Sequence, residues 1–417
     1  MLPEKLRKNI WSKHHFLSTL FIFAILGLLS SIPIQSDVLN PVQSTFDDFE
    51  LTDIVFSKLR PDTLYKADTN IVLVNIGRLN REGIAEEIKI INKYKPKVLG
   101  IDAAFRAPKS LEGDTALARA MADVKNLVLV SGVHQYNKEA RQYDTLETSH
   151  AIFNRHGLTG FANLIVESDD YYKSCRSFSP KENVRGHTEL AFPVKVAQLY
   201  QPDIVKRFLE RGNTYEHINY RGDFTSGSFY ALDVADIFDP GMEEALQELM
   251  KDKIVLMGFM GENFQSRTLE DKLYTPLNEN YVGKAHPDMY GVVVHANSIS
   301  MILREEYINE SPVAVEIVIA VVLCFLNVVL FTLIMNHFGD WYDSLTIIWQ
   351  LMQTCIIMYI VVALFYMFNL KINLTLALAA VLLSSNALEL YYHIVLRIYA
   401  RSHFVKLFSK KLKKQVT

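Results

Sequence analysis

Long apolar runs interrupt this chain at four places, and between the first and second of them the hydrophobic pattern switches to short strands and amphipathic helices. The first run, residues 16–34 (FLSTLFIFAILGLLSSIPI), follows Lys5, Arg7, Lys8 and Lys13. Its apolar part is about 18 residues, within the ~17–25 that a spanning helix needs. A basic leader before an apolar run also describes a signal peptide, but no A-x-A-like cleavage site follows, so an uncleaved signal anchor is expected. Runs at 313–335, 345–368 and 374–396 are each about 23 residues, or ~34 Å of helix, enough to cross a bilayer with some tilt. Pro312 opens the first of these, where its missing N–H costs nothing. The connectors NHFGDWYDS and NLKIN are too short to hold a domain.

Downstream of the first run, FDDFELTDIVFSKL reads as a helix leading away from it. Residues 71–76 are apolar and rich in β-branched side chains, the mark of a buried strand, and Gly77 ends it. Ile84, Ile88, Ile91 and Tyr94 recur at helical spacing through a charged stretch that Lys95-Pro96 stops. Residues 98–104 form a second buried strand. Strand, helix and strand within ~35 residues predict a right-handed βαβ unit with parallel strands. A helix (GDTALARAMADV) and a strand (NLVLVSGV) continue the alternation; EEALQELMKDKIVLMGFMG repeats it, and DMYGVVVHANSISMILREE reads as another helix. The polar, aromatic stretch 134–187 is expected to form antiparallel hairpins. The predicted class is α/β: a mostly parallel sheet with flanking helices and an antiparallel insertion, on an all-α four-span anchor. The implied order is leader 1–15, span 16–34, exterior domain 35–311, spans 312–335, 345–368 and 374–396, and basic tail 397–417.

Composition sharpens this picture. Half of the 417 residues are hydrophobic although 21% are charged, and mean hydropathy is +0.10; the excess sits in the four runs, which points to a membrane. A net charge of −3 gives no global basic field, so no nucleic-acid partner is expected. Arg397, Arg401, Lys406, Lys410, Lys411, Lys413 and Lys414 crowd the tail, as four basic residues crowd the leader. Both ends are therefore expected in the cytoplasm, with an even number of spans and residues 35–311 outside. NHFGDWYDS runs against this rule, carrying Asp340 and Asp343 on the inner side and no Lys or Arg. Cys175, Cys324 and Cys355 are too far apart to suggest a disulfide framework or a zinc site, and no metal or cofactor is expected. The lone Cys175 outside suits an oxidising compartment.

At this point the residues resemble a family. The segments IVLVNIG, KPKVLGIDAAF, HGLTGFANL, DDYYKSCRSF, INYRGDFTSGSF, DKIVLMGFMGENF and YGVVVHANSISMIL occur in the order and spacing of the second class of CHASE domains, the cyclase/histidine-kinase-associated sensory extracellular domains. One apolar run before the domain and three after it are also similar to that family. The resemblance implies a periplasmic sensory domain in a bacterial inner membrane, with an unknown small-molecule ligand, usually wired to a cytoplasmic kinase or cyclase. Two departures stand out. Asn75-Ile76-Gly77 occupies the place where many members carry acidic residues, and a Trp-Pro-rich stretch is missing nearby. No output domain follows the last run within the 417 residues, so a separate signalling or envelope protein is the expected partner.

In a parallel α/β sheet, ligands bind outside the carboxyl ends of the strands. Three such ends are the stretch from Asn75 to Arg78, Asp102, and the loop from Gly258 through Gly261 to Asn263. Asp102 closes a buried strand and needs a partner, either a ligand or a structural cap or arginine. The Gly258/Gly261 loop could turn N–H groups toward an anion, but it lacks a phosphate fingerprint and also reads as a plain tight turn. Arg221, after the short strand HINY, could reach the same end as a ligand group, or pair structurally, with Asp102 as a candidate. His295, in an apolar helix after Pro287, is expected to be a satisfied core histidine. No G-x-S-x-G elbow, Walker loop or nearby Cys–His pair argues for an enzyme.

In the last run Asn386, Glu389 and His393 are spaced i, i+3, i+7 and share one helix face, beside Ser384 and Ser385. A carboxylate there is costly in lipid and should face a partner or water. It either bonds within the three-helix cluster or snorkels toward the cytoplasm, or the face docks another subunit's helix. The tail FVKLFSKKLKK sets Phe404, Leu407 and Phe408 against lysines, as an interfacial helix on anionic lipid would, or a contact for a cytosolic protein. A scaffold subunit of an envelope complex is the rival to a sensor. It predicts a flat apolar patch where a sensor predicts a polar cleft.

Overall fold

The computed structural model of the chain describes residues 13–31, 50–60, 66–165, 174–278 and 286–415, with side chains described through residue 394 and at Arg397. Residues 1–12 of the leader, residues 32–34 of the first apolar run, residues 46–49 and the side chains of the amphipathic tail therefore lie outside the described residues. The chain divides into two compact units, Val42–Ile308 and Met1–Pro41 with Asn309–Thr417.

The first unit is built on strands whose apolar runs are buried on both faces, as central strands of a covered parallel sheet must be. Among the described residues nine strands form one sheet. Its elements are β1 (Asp68–Asn75), β2 (Val98–Asp102), β3 (Leu127–Asn137), β4 (Gln142–Glu147), β5 (Leu158–Phe161), β6 (Lys181–Val184), β7 (His187–Leu190), β8 (Phe229–Leu232) and β9 (Ile254–Gly258). They lie in the order β8-β1-β9-β2-β3-β4-β6-β7, with β5 also on β3. The order corrects one expectation. β1 and β2 are not neighbours, because β9, some 150 residues later, pairs in parallel with both. Its five residues are all buried, so it fills a central position that the local alternation alone would leave closed.

Helices cover both faces. The helix that follows β1, α2 (Arg81–Lys93), starts at Asn80, whose side chain accepts from the Gly83 N–H, and gives way at Tyr94 and Lys95, the latter at φ +54°. Together with α3 (Leu111–Ala122), capped by Ser110, it buries Ile84, Ile88, Ile91, Leu117 and Met121 against Val72, Val74, Leu99, Ile101, Val255 and Met257. Each such side chain contributes about 1.5–3 kcal/mol by leaving water. The one-turn helix α4 (Ala151–Asn154) lies beside α3. On the other face, α5 (Phe192–Tyr200) and α9 (Gly291–Arg304) approach so closely that a Cβ on Gly258 would sit 2.6 Å from Val292 Cβ. Helices α6 (Pro202–Glu210), α7 (Val234–Phe238) and α8 (Glu243–Met250) complete the layers.

The stretch 134–187 is antiparallel only in part. β3 with β4 and β6 with β7 are hairpin pairs, but β5 joins β3 in parallel. Gly160 accounts for this, since a Cβ there would meet Phe192 Cα at 2.6 Å, so the strand can slide beneath α5.

The second unit holds α1 (Lys13–Ser30), α10 (Val313–His337), α11 (Tyr342–Phe368) and α12 (Thr375–Gln415). Four helices here are long and apolar enough to cross a membrane, α12 qualifying over Thr375–Ile394. α12 does not break at Arg397; its backbone stays helical through the basic tail. Ile22, Cys324, Val328, Phe331, Ala380 and Leu388 form the shared core. Buried polar groups are stitched across it: Gln350 Nε2 donates to the Val381 carbonyl at 2.8 Å, and Tyr342 Oη to the Ser385 carbonyl at 3.1 Å.

Candidate functional site

Parallel register sets the sequence-predicted strand ends side by side. Asn75 is opposite Gly258, and Gly258 is opposite Asp102, so the three form a row at the carboxyl edge of the sheet. The row is not uniform in chemistry.

Asn75 is fully buried and fully engaged. Its Nδ2 donates to Asp233 Oδ1 at 2.9 Å and to the Gly261 carbonyl at 3.0 Å. Its Oδ1 accepts from the Gly77 N–H at 3.0 Å and the Met260 N–H at 2.8 Å. An amide has two donors and two acceptor lone pairs, and all four are used. Asn75 therefore clamps the end of β1 to the Gly258–Gly261 loop. Gly261 turns that loop at φ +93°, and Gly258 admits Val292. Asp233 in turn caps α7, its Oδ2 also accepting from the Phe264 N–H at 3.0 Å.

Asp102 is the opposite case. It is half-buried, and among the described residues its carboxyl makes no hydrogen bond and no ion pair. Neither the helix cap nor the arginine partner considered from sequence is present. Burial, with the charge of Asp271 added, pushes its pKa up to about 7. Its Oδ2 faces the start of α9, 3.8 Å from where a Cβ on Gly291 would lie. Around Asp271 the edge alternates in sign. Arg78 binds Glu270 and lies 3.7 Å from Glu262, its guanidinium over the Phe259 ring at 5.1 Å. Lys272 Nζ sits over the Tyr290 ring at 4.7 Å. Such an edge can offer a carboxyl that is half-protonated near neutrality to a polar ligand. Among the described residues no cluster of three His, Cys, Asp or Glu could hold a metal ion.

Arg221 does not join this row, which corrects the expectation that it reaches Asp102. Residues 219–223 run alongside α9, with the Arg221 N–H donating to Asn297 Oδ1 at 2.8 Å and Asn219 Nδ2 to the Glu306 carbonyl at 2.9 Å. The Arg221 guanidinium emerges near the far end of that helix, donating to the Lys66 carbonyl at 2.7 Å and lying 3.9 Å from Glu306. Asp102 faces Gly291, at the start of the same helix, whose length to Arg304 is roughly 20 Å at ~1.5 Å per residue.

His295 is a core residue, as expected, but not a satisfied one. Its ring lies edge-on to Phe192 with centroids 5.2 Å apart, and its Nδ1 has no hydrogen-bond partner. Burial lowers its pKa to about 4 and keeps it neutral.

Sequence reading missed Glu87. It is fully buried in α2, both carboxyl oxygens lack a hydrogen-bond partner, and burial beside Asp233 raises its pKa to about 8. The signal was available, since position 87 falls on the stripe of Ile84, Ile88 and Ile91.

On α12, Ser384 and Ser385 turn inward, while Asn386, Glu389 and His393 lie exposed on one face. His393 Nδ1 is 3.0 Å from the Glu389 carbonyl oxygen. None of the three side chains packs into the helix cluster.

No curated protein and no solved structure matches the chain. The model of the CHASE2 domain family matches residues 20–334, from inside α1 to near the end of α10. That match takes in the sheet, both flanking apolar helices and well over half of the sequence, and the chain belongs to the CHASE2 domain family.

Proposed function

We propose that this is a bacterial inner-membrane sensory protein, anchored by its four apolar helices, with the α/β unit on the periplasmic side and both termini in the cytoplasm. One observation carries the reading: the match to a sensory domain family extends continuously from the α/β unit into an apolar helix on either side. The α/β unit acts as a binding module and not as an enzyme. In support, neither Asp102 nor Glu87 hydrogen-bonds a nucleophile or base among the described residues.

The signal leaves through a separate polypeptide. Glu389 is exposed on an apolar helix, and a carboxylate in hydrocarbon costs about 2.5–3.5 kcal/mol on insertion scales unless a partner meets it. With Asn386 and His393 on the same face, it gives a partner helix a donor, an acceptor and a titratable group to match. The tail contributes a contact with anionic lipid. The scaffold alternative calls for a flat apolar patch; the α/β unit carries a concave groove rimmed by cations, which favours a ligand-binding role.

Affinity recovery of the tagged full-length protein from gently solubilised native membranes tests this. A kinase, cyclase or regulator that accompanies the native chain and is lost from Glu389→Leu supports a split receptor. Recovery of structural envelope proteins alone, unaffected by Glu389→Leu, overturns it in favour of the scaffold.

A further inference from the structure

A groove of about 540 Å³ runs along the outer side of α3, between that helix and the α4 turn. Its size falls within the ~300–1,000 Å³ of small-molecule sites. Ala118, Ala122 and Ile152 line it with apolar surface, and Leu111 stands beside it at 88% exposure. Three cations also line it: Lys109, Arg119 and Arg155.

Those charges are uncommitted. Among the described residues no carboxylate pairs with Lys109, Arg119 or Arg155. The one carboxylate in the lining, Asp114, is already bound by Arg81 and accepts from the Lys109 backbone N–H at 2.9 Å. Arg155 Nε donates to His156 Nε2 at 3.1 Å, a bond to an imidazole that brings no negative charge to the guanidinium. Two exposed arginines elsewhere on this unit, by contrast, are matched, Arg207 with Glu305 at 2.9 Å and Arg106 with Glu147 at 2.8 Å. Apolar surface, three unmatched cations and an exposed leucine in one concavity describe a receptor for an amphiphilic anion. Guanidinium groups pair with planar carboxylates in two-point contacts, and the alanines leave room for an apolar body.

We infer that the groove along α3 binds an organic anion with an apolar body, of the aryl- or alkyl-carboxylate kind, held by Arg119, Arg155 and Lys109. This deepens the sensory reading and rests on it for its biological meaning. Binding itself is measured without any signalling output, so failure of the groove and failure of that reading are separate results.

The test uses the full-length protein in neutral detergent, with 4-(trifluoromethyl)benzoate as probe, followed by its fluorine NMR signal against protein-free micelles. Saturable binding is expected. It should weaken at least tenfold in Arg119→Glu/Arg155→Glu and in Ala122→Trp, which narrows the groove from an exposed position. The uncharged 4-(trifluoromethyl)benzamide should bind at least tenfold more weakly than the acid. The milder Arg119→Gln/Arg155→Gln replaces the charge reversal if that variant melts early. Equal binding of acid and amide, unchanged affinity in the variants, or no saturable binding would each overturn the assignment.

Discussion

Asn75 donates a hydrogen bond to Asp233 Oδ1 at 2.9 Å, and through that pair the end of β1 is fastened to the cap of α7. The same amide accepts two backbone N–H bonds. A carboxylate could accept both but could not donate to Asp233, so asparagine at this position is explained by its bidirectional bonding. Asn75→Asp is therefore expected to lower stability by about 3 kcal/mol at pH 8, where two carboxylates would meet in a buried site. The loss should shrink toward pH 5, as a shared proton restores the missing donor. Thermal unfolding of both proteins across that range checks it; a cost independent of pH would contradict the account.

Glu87 and His295 pull the pH dependence in opposite directions. The Glu87 pKa rises from 4.5 to about 8 on folding, so the folded state holds a proton that the unfolded state gives up. Its contribution is fully present below pH 4.5 and is lost as pH rises toward 8, in total about 3–5 kcal/mol. His295 falls from 6.5 to about 4, so stability is lost as pH drops through that window, by about 3 kcal/mol. Relative to the native protein, Glu87→Gln should gain stability steadily from pH 5 to 8, and His295→Leu should gain it from pH 6.5 down to 4. Asp102 and Asp288, raised to about 7 and about 6, tilt the native curve the same way as Glu87. The diagnostic quantity is thus each variant's difference from native. A flat difference in either case would mean that the group is hydrated or paired in solution.

Asp102 and Arg221 should respond to replacement with opposite signs. Asp102 makes no bond that would be lost, and its ionisation above pH 7 is disfavoured by burial. Asp102→Asn is expected to stabilise the protein by about 2–4 kcal/mol at pH 8, a residue kept at a cost to stability being a mark of function. It should also abolish any ligand response that depends on the strand ends. Arg221→Ala should instead destabilise by about 2–4 kcal/mol, because the buried guanidinium holds the Lys66 carbonyl beside the start of β1. Calorimetry on the two variants separates the cases, and a stabilised Arg221→Ala would return that residue to the candidate site.

What the sequence made legible follows from what is local. The apolar run at 71–76 and the stripe of Ile84, Ile88 and Ile91 carry their own periodicity, and β1 and α2 form where it places them. The neighbour of β1 is not local. β9 enters from residue 254 onward, and nothing in the first 110 residues announces the gap it fills. Arg221 lies apart from the strand-end row for the same reason, since its place depends on how residues 219–223 track α9. Asp102 was legible as a strand-end carboxyl, but its lack of a partner was not, because a missing contact leaves no trace in spacing. Glu87 was readable and was passed over by attending only to the apolar members of its stripe.

Within the helical unit, two polar residues separate cohesion from recognition. Gln350 is buried and donates to the Val381 and Leu382 carbonyls at 2.8 and 3.1 Å, while its Oε1 accepts from Ser385 Oγ at 3.3 Å. Glu389 is exposed and makes no side-chain bond among the described residues. Interhelical bonds in lipid average about 0.6 kcal/mol and reach about 1.7. Gln350→Leu should therefore lower thermal stability in detergent by roughly 1–2 kcal/mol without altering which proteins are recovered with the chain. Glu389→Leu should do the reverse, leaving the melting curve unchanged or slightly raised while releasing the partner. Glu389→Gln, which keeps hydrogen bonding and removes the charge, distinguishes a hydrogen-bonded contact from an ion pair. Retention of the partner in Glu389→Gln and its loss in Glu389→Leu would assign the face to hydrogen bonding between helices. Loss in both would assign it to a cation on the partner, and loss in neither would remove Glu389 from the route by which the signal leaves.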